Sequence, residues 1–316
     1  MAEWLYEAGI GEARAALVEN GAITEVRIDR TDGRPRAGDI LTARLTRKAG
    51  LAGRGEVELD GGTVALLAPI PTGLTEGSTV MIEIVREAIP ERGNPKLPLA
   101  RPADGPPRPA PALLDAIGAG GAPVRTLLPH GPDLLEAAGW SEVVEQAETG
   151  LVPFPGGLLR IALTPAMTVI DVDGELAPAE LAVRGAAAAG KAIRLFDIGG
   201  SIGLDLPTLP DKRARQAAAE AIEAALPQPF ERTAVNGFGF LQIVRRRVRP
   251  SLLELIQSDP VQAAALALLR SLEREPLPGP DHVLAPAPVA RLINRRDDWT
   301  AELARRRGRA IRIEPS

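Results

Sequence analysis

The stretch MTVIDVDGELAPAELAVRGAAAAGKAIRLFDIGGSIGLDL, residues 167–206, decides the fold class of this chain. Its first part, 167–173, is rich in apolar and β-branched residues, which predicts a buried strand. A helix rich in alanine follows, with Gly199-Gly200 as its stop signal, and residues 201–206 predict a second strand. A strand, a helix and a strand in this order indicate a layered α/β domain.

Carboxylates stand at the ends of both predicted strands. Asp171 and Asp173 are two residues apart, so a strand presents their side chains on one face. Asp205 lies near the end of the second strand, and the carboxyl ends of parallel neighbours meet at one edge of a sheet. Hard carboxylate oxygens favour Mg²⁺ or Mn²⁺. The spacing alone leaves an alternative open, in which DVDG is only a polar turn.

Composition excludes several kinds of site. The 316 residues are enough for two or three domains. They include no cysteine, which removes disulfides and thiolate metal sites, and two histidines, which argues against a histidine-based zinc site or a catalytic triad. A net charge of −4 does not suggest a chain that coats nucleic acid without specificity.

The pattern along the chain predicts a multidomain protein of mixed α+β and α/β class. Short strands with glycine turns, including hairpins at Asn20-Gly21 and at residues 60–62, indicate a β-rich start and a small barrel of the OB type. Five parts are predicted. They are N-terminal strands packed with the core of the layered domain (1–37), the inserted barrel (38–100), a proline-rich linker (101–112), the layered α/β domain (113–258) and a small C-terminal α/β domain (259–316).

The sequence also bears on localisation. It contains no run of eighteen apolar residues, so we expect no membrane span and no membrane partner. The first twelve residues, MAEWLYEAGIGE, lack the basic and apolar regions of a secretory signal. A cytoplasmic protein is therefore the expectation.

Four segments together resemble the ribonuclease E/G family. They are PGGLLRIALTPAMTVIDVDGE (155–175), LFDIGGSIGLDL (195–206), GFGFLQIVRRRVRPSL (237–252) and DHVLAPAPVARLINRRD (281–297). Their order and spacing are similar to those of the family over roughly residues 150–316, and the N-terminal strands resemble the family's entry into its OB-type RNA-binding domain. The two strand ends with aspartate are the most specific part of this resemblance.

The resemblance implies a Mg²⁺-dependent endoribonuclease, a hydrolase that cleaves single-stranded RNA in RNA processing or decay. The family's two catalytic, metal-binding aspartates correspond to Asp171 and Asp205. Asp173 stands where the family usually has asparagine, and we expect it to assist the metal. The added charge of Asp173 leaves the level of activity open.

The chain departs from the family pattern at two other places. The cysteine pair that binds zinc in the family is absent, so we expect no zinc and no oligomer through a zinc link, although another oligomer is possible. The barrel segment 53–69 contains no Phe or Tyr, and base stacking on an aromatic side chain is worth about 1–3 kcal/mol per base. We therefore expect the barrel to bind RNA more weakly than a barrel with aromatic side chains on this segment.

Basic residues supply candidate contacts to RNA phosphates. The candidates are Lys191, Arg194, Lys212, Arg213, Arg215, Arg245, Arg247 and Arg249. Strand alternation predicts that the last three share one face and form a phosphate track. The alternative for Lys191 and Arg194 is an ordinary solvated helix face. For Phe238 and Phe240, we favour a core position over a stacking platform.

Three functions follow from these observations. The first is the Mg²⁺-dependent endoribonuclease. The second is an RNA-binding or assembly protein of the same fold with weak or absent catalysis. The third is an enzyme that acts on a sugar phosphate or a nucleotide with the same carboxylates.

Overall fold

The computed structural model describes residues 1–49, 53–91, 93, 95–276 and 278–316. The chain forms two compact units. One contains Met1–Asp32, Leu113–Thr149 and Leu255–Ser316, and the other contains Gly33–Ala112 and Gly150–Glu254.

Strands and helices are numbered here in chain order. The strands are β1 (Glu3–Ala8), β2 (Glu12–Glu19), β3 (Ala22–Arg30), β4 (Ile40–Ala49), β5 (Arg54–Leu59), β6 (Val64–Leu67), β7 (Thr79–Arg86), β8 (Leu99–Pro102), β9 (Val124–Leu127), β10 (Leu151–Phe154), β11 (Gly157–Leu163), β12 (Thr168–Gly174), β13 (Gly200–Asp205), β14 (Glu231–Arg232), β15 (Phe240–Arg245), β16 (His282–Ala285) and β17 (Arg312–Pro315). The helices are α1 (Leu113–Gly118), α2 (Leu134–Ala137), α3 (Trp140–Thr149), α4 (Pro178–Leu195), α5 (Lys212–Ala225), α6 (Leu252–Gln257), α7 (Pro260–Arg274), α8 (Ala287–Asn294) and α9 (Asp297–Arg307).

The first unit contains a four-stranded sheet in the order β3-β2-β1-β9. The predicted hairpin at Asn20-Gly21 is confirmed, because β2 and β3 pair in antiparallel fashion around it and both turn residues have positive φ. The same unit holds a short parallel pair, β16 and β17. A core around Leu269, Ile293 and Trp299 joins α7, α8 and α9.

The second unit contains a closed barrel in the order β4-β5-β6-β8-β7. Its interior is filled by small and branched apolar side chains such as Leu45, Val57 and Ile84, each of which is fully buried. The predicted small barrel is therefore confirmed, and a closed five-stranded barrel is consistent with the OB type.

A six-stranded mixed sheet forms the rest of the second unit, in the order β10-β11-β12-β13-β15-β14. Helix α4 connects β12 to the parallel strand β13 and packs against α5. The predicted layered α/β arrangement of strand, helix and strand is therefore confirmed. Within the described residues, none of the helices combines the length and the apolar character needed to cross a bilayer.

The compact units divide the chain differently from the predicted domains. The N-terminal strands share a unit with 113–149 and 255–316, whereas the prediction placed residues 1–37 with the core of the layered domain. The predicted linker 101–112 contributes to the barrel region, because β8 extends to Pro102 and Arg108 forms a bridge with Ile40. Backbone pairing that joins distant segments sets these boundaries.

Two helical stretches of the chain, 133–149 and 287–307, are each interrupted by a short break. Residues 133–148 form α2 and α3, with Gly139 between them at a φ of 96°. Residues 289–307 form the end of α8 and α9, with a break at 295–296. Helix α4 also ends before Gly199: its last residue is Leu195, and Asp197 adopts the left-handed conformation that commonly ends helices.

Candidate functional site

Asp171 and Asp205 are paired residues on adjacent strands. Strands β12 and β13 are parallel neighbours, which is the condition under which the aspartates converge, and their register places Asp171 directly beside Asp205. Paired residues on neighbouring strands project to the same face, and their backbones lie about 4.8 Å apart. The two carboxylates therefore share one face where the parallel pairing ends: β13 ends at Asp205, and β12 continues to Gly174.

Helix packing sets which face carries the carboxylates. Thr168, Ile170 and Val172 are the buried residues of β12, and they alternate with Asp171. Helix α4 lies against this buried face: a Cβ at Gly185 would be 2.3 Å from Cγ1 of Val172. The glycine allows the helix to approach the strand closely, and the alternation then turns Asp171 to the opposite face.

Burial and neighbouring negative charges raise the pKa of Asp171. Partial burial of its carboxyl group is the largest cause, followed by the negative charges of Asp173 and Asp205. The backbone N–H of Val172 and the charge of Arg160 act in the opposite direction. The ionised carboxylates therefore repel one another, and a cation between Asp171 and Asp205 would relieve this repulsion.

Asp173 has a different partner. Its Oδ2 accepts a hydrogen bond from Nε of Arg160 at 2.6 Å, and both side chains are about half exposed. Among the residues that the structure describes, His, Cys, Asp and Glu side chains form no group of three or more arranged to hold a metal ion. The structure therefore brings Asp171 and Asp205 together as a pair, with Asp173 tied to Arg160.

Arg160 was not among the residues predicted from the sequence. The antiparallel pairing of β11 with β12 places it directly beside Asp171, and its side chain reaches Asp173. The hairpin formed by β11 and β12 could have revealed Arg160 from the sequence, because the register of the hairpin sets which residue of β11 lies beside each aspartate.

The loop that bonds to the chain just after Asp205 carries an exposed aromatic side chain. Phe238 is 83% exposed, so the predicted core position is wrong for this residue. Its loop is held by Oδ1 of Asn236, which accepts hydrogen bonds from the backbone N–H groups of Phe238 and Phe240. The carbonyl oxygen of Gly239 accepts a hydrogen bond from the backbone N–H of Leu206, which directly follows Asp205.

Glycine is required at position 239. Its φ is +93°, and a Cβ there would be 2.2 Å from the carbonyl oxygen of Leu206. Phe240 is half-buried and packs over Gly203, where a Cβ would be 2.7 Å from Cζ of the ring. The sequence GFGF thus fixes one aromatic ring on the sheet and leaves the other, Phe238, exposed in the loop.

Three of the predicted basic residues begin the helix that follows Asp205. Lys212 and Arg213 are exposed in the first turn of α5, and Arg215 is half-buried. The carboxylate of Asp211 caps the helix by accepting a hydrogen bond from the backbone N–H of Ala214 at 2.8 Å. The loop 206–211 joins this turn to the carboxyl end of β13.

Lys191 and Arg194 lie at the other end of α4. The helix begins at Pro178, shortly after Asp173, and Lys191 is thirteen residues further on. At the α-helical rise this separation is about 20 Å along the helix axis. The structure therefore does not bring these two residues together with the carboxylates.

The last three predicted arginines form intramolecular ion pairs. Arg245 donates to Oδ1 of Asp197 at 3.0 Å, Arg249 lies 3.7 Å from Oδ2 of the same residue, and Arg247 donates to Glu254. Strand β15 ends at Arg245, so the predicted alternation over 245–249 is wrong. Arg245 pairs with Gly200 and lies on the face opposite to that of Asp205, whose partner is Phe240.

No family model matches this chain, and no curated protein matches it in sequence.

Proposed function

We propose that this protein is a Mg²⁺-dependent endoribonuclease that hydrolyses phosphodiester bonds in single-stranded RNA, similar to the ribonuclease E/G family. The observation that carries the proposal is the in-register pairing of Asp171 with Asp205 at the carboxyl end of the parallel ladder between β12 and β13. Sites in open α/β sheets form at such ends.

Two carboxylates are a suitable set of protein ligands for Mg²⁺. This ion demands octahedral geometry, keeps several waters and is commonly held by one or two carboxylates together with substrate phosphates. Asp171 and Asp205 would hold it. When bound, the ion would activate a water molecule and neutralise charge that develops on the phosphodiester.

The neighbouring side chains would position the RNA. Phe238 offers an exposed ring on which a base can stack, and Lys212 and Arg213 offer charges for phosphates beside the same strand end. Arg160 reduces the negative charge by pairing with Asp173. Stacking on an exposed ring requires an unstacked base, which favours a single-stranded substrate.

The barrel would contribute little stacking. Residues 33–112, which include all the barrel strands, contain no Phe, Tyr or Trp. Aromatic contact with the substrate is therefore assigned to Phe238. We further propose a cytoplasmic location and RNA as the main partner, with any self-association independent of zinc.

The test is cleavage of a labelled single-stranded RNA by the purified protein, with and without Mg²⁺. We expect products in Mg²⁺ alone and none from Asp171→Asn or Asp205→Asn. Asp104→Asn is the matched control, since Asp104 is exposed in the same unit and is not part of the site. Equal cleavage by both site variants and the control would end the proposal.

The pairing of Asp173 with Arg160 favours a second candidate, an RNA-binding or assembly protein with weak catalysis. The pair engages the side chain that we expected to assist the metal, and Asp173 stands where the family usually has asparagine. RNA binding that is independent of Mg²⁺, without products, would support it. Turnover of a small phosphorylated substrate without RNA binding would favour the third function.

A further inference from the structure

Four of the nine residues that line a cleft in the second unit are cations. Its volume is about 450 Å³, and the cations are Arg86, Lys96, Arg246 and Arg247, which lie beside Gly200, Ser201 and three apolar residues. The first two cations come from the barrel region, the other two follow β15, and the glycine and the serine begin β13. We call this site the basic cleft.

Positive charge exceeds negative charge at the basic cleft. Its four cations face two carboxylates: Glu91 lies 2.6 Å from Nζ of Lys96 and 4.0 Å from Arg247, and Glu254 accepts a hydrogen bond from Arg247. Four positive and two negative charges leave a net charge of +2 among these described residues. The pKa of Arg86 is lowered by burial and then by the charge of Arg247, with Glu91 acting in the opposite direction.

Two hydrogen-bond donors at the basic cleft lack acceptors. The Nε atoms of Arg86 and Arg247 are buried and have no hydrogen-bond partner among the described residues. Arg86 uses its Nη2 to donate to the carbonyl oxygen of Leu97 at 2.7 Å, which fixes the guanidinium in place. Buried donors are rarely left unpaired in folded proteins, so an acceptor such as an anion fits this cleft.

The fold requires a close approach of backbone at one wall of the cleft. A Cβ at Gly199 would be 2.9 Å from Cα of Arg247 and 3.0 Å from the carbonyl oxygen of Arg246. Glycine at this position lets the segment with both arginines lie against the start of β13. The cationic wall is therefore set by packing and does not depend on mobile side chains alone.

The cleft lies along the strand that carries Asp205. Ser201 and Asp205 are four residues apart on β13, so both face the same side of the sheet. At the strand rise, their separation is about 13 Å. A strand of RNA held at Asp205 would therefore reach the basic cleft within a few nucleotides.

We propose that the basic cleft binds a phosphate group. The group is either a backbone phosphate of an RNA strand or a free phosphate. The assignment of the phosphate to an RNA strand rests on the proposed function, whereas the binding of a phosphate group does not. Arginine and lysine charges with free N–H donors are the groups that recognise phosphate oxygens.

Titration calorimetry with inorganic phosphate, in EDTA to keep Mg²⁺ away from the aspartates, tests the site. We expect Lys96→Gln/Arg246→Gln to bind phosphate at least tenfold more weakly than the wild type. The matched control is Lys48→Gln/Arg305→Gln, which removes one lysine and one arginine charge at exposed positions elsewhere. The control should bind phosphate as the wild type does.

A second variant distinguishes a loss of phosphate binding from a folding defect. Arg246 is exposed, so Arg246→Gln alone should melt as the wild type does and still bind phosphate more weakly. Equal phosphate binding by the cleft variants and the control would overturn the site, and so would failure of the wild type to bind phosphate.

An RNA oligonucleotide with hydroxyl groups at both ends distinguishes the two sources. If it competes with inorganic phosphate in EDTA, the cleft takes backbone phosphates. If phosphate binds and the oligonucleotide does not compete, the cleft takes a free phosphate group. If the protein binds phosphate but does not cleave RNA, the result would support the phosphate site in the basic cleft and contradict the proposed endoribonuclease activity.

Discussion

Arg160 and Asp173 form a hydrogen-bonded ion pair, with 2.6 Å between Nε and Oδ2, on the face of the sheet that carries Asp171. The pair gives Asp173 a cationic partner of its own, so the metal site that we propose depends on Asp171 and Asp205. The added charge at position 173 is offset within the protein.

This arrangement predicts that Asp173→Asn retains RNA cleavage. Exposed ion pairs contribute about 0–1 kcal/mol, so the loss of this one should change the rate by less than about fivefold. Initial rates on a labelled single-stranded RNA in Mg²⁺ measure the effect. Loss of cleavage equal to that of Asp171→Asn would show that Asp173 is itself required.

Asp171→Asn should stabilise the protein when Mg²⁺ is absent. The raised pKa of Asp171 means that its ionised form is disfavoured in the folded state, so at pH 7 the wild-type residue lowers the free energy of unfolding. Removal of one like charge about 6 Å from another is worth about 0.5–1 kcal/mol in a largely aqueous environment. Urea unfolding in EDTA measures the difference, and a less stable variant would contradict it.

Phe238→Ala should weaken RNA binding and leave stability unchanged. The ring is 83% exposed, so little buried apolar surface is lost. The loss of one stacked base corresponds to about 1–3 kcal/mol of binding free energy. Fluorescence anisotropy with a labelled single-stranded RNA measures the effect, and Phe238→Trp is the control that should retain binding. Unchanged RNA affinity of Phe238→Ala would show that Phe238 does not contribute to RNA binding.

Glu302→Gln should lower stability at neutral pH, and the difference should shrink in acid. Hydrogen bonds from Arg305 and then Arg306 lower the pKa of Glu302 from 4.5 to about 2. A depressed carboxyl pKa stabilises the folded state above the unfolded-state pKa of 4.5, and this contribution is lost as the pH falls from 4.5 to about 2.

For this partly exposed group we expect a difference of about 0.5–1 kcal/mol at pH 7. Urea unfolding of wild type and Glu302→Gln at pH 7 and pH 3 measures it. A difference that grows towards pH 3 would contradict the assignment.

Local pattern predicts much of the second unit. The strand, helix and strand of 167–206 and the turn residues at 60–62 are encoded by nearby residues. The parallel pairing of Asp171 with Asp205 follows from them, because a helix of that length returns the chain to a parallel neighbour. The sequence brings the aspartates together only if the two strands are parallel neighbours, and the structure shows that they are.

Distant partners explain what the sequence does not reveal. Asp197 and Glu254 pair with the arginines of 245–249, and neither pairing has a signal in the local pattern. The exposure of Phe238 depends on a loop held by Asn236 and on the close approach of Gly239 to Leu206. The basic cleft likewise joins residues more than a hundred positions apart.

The cleavage of single-stranded RNA by wild type and Asp205→Asn, each with Mg²⁺ and with EDTA, tests the central claim most directly. The account predicts products for the wild type in Mg²⁺ alone and at least a hundredfold loss for Asp205→Asn, with a melting temperature no lower than that of the wild type. Asp205→Asn that cleaves at the wild-type rate, or wild-type cleavage that persists in EDTA, would contradict the account.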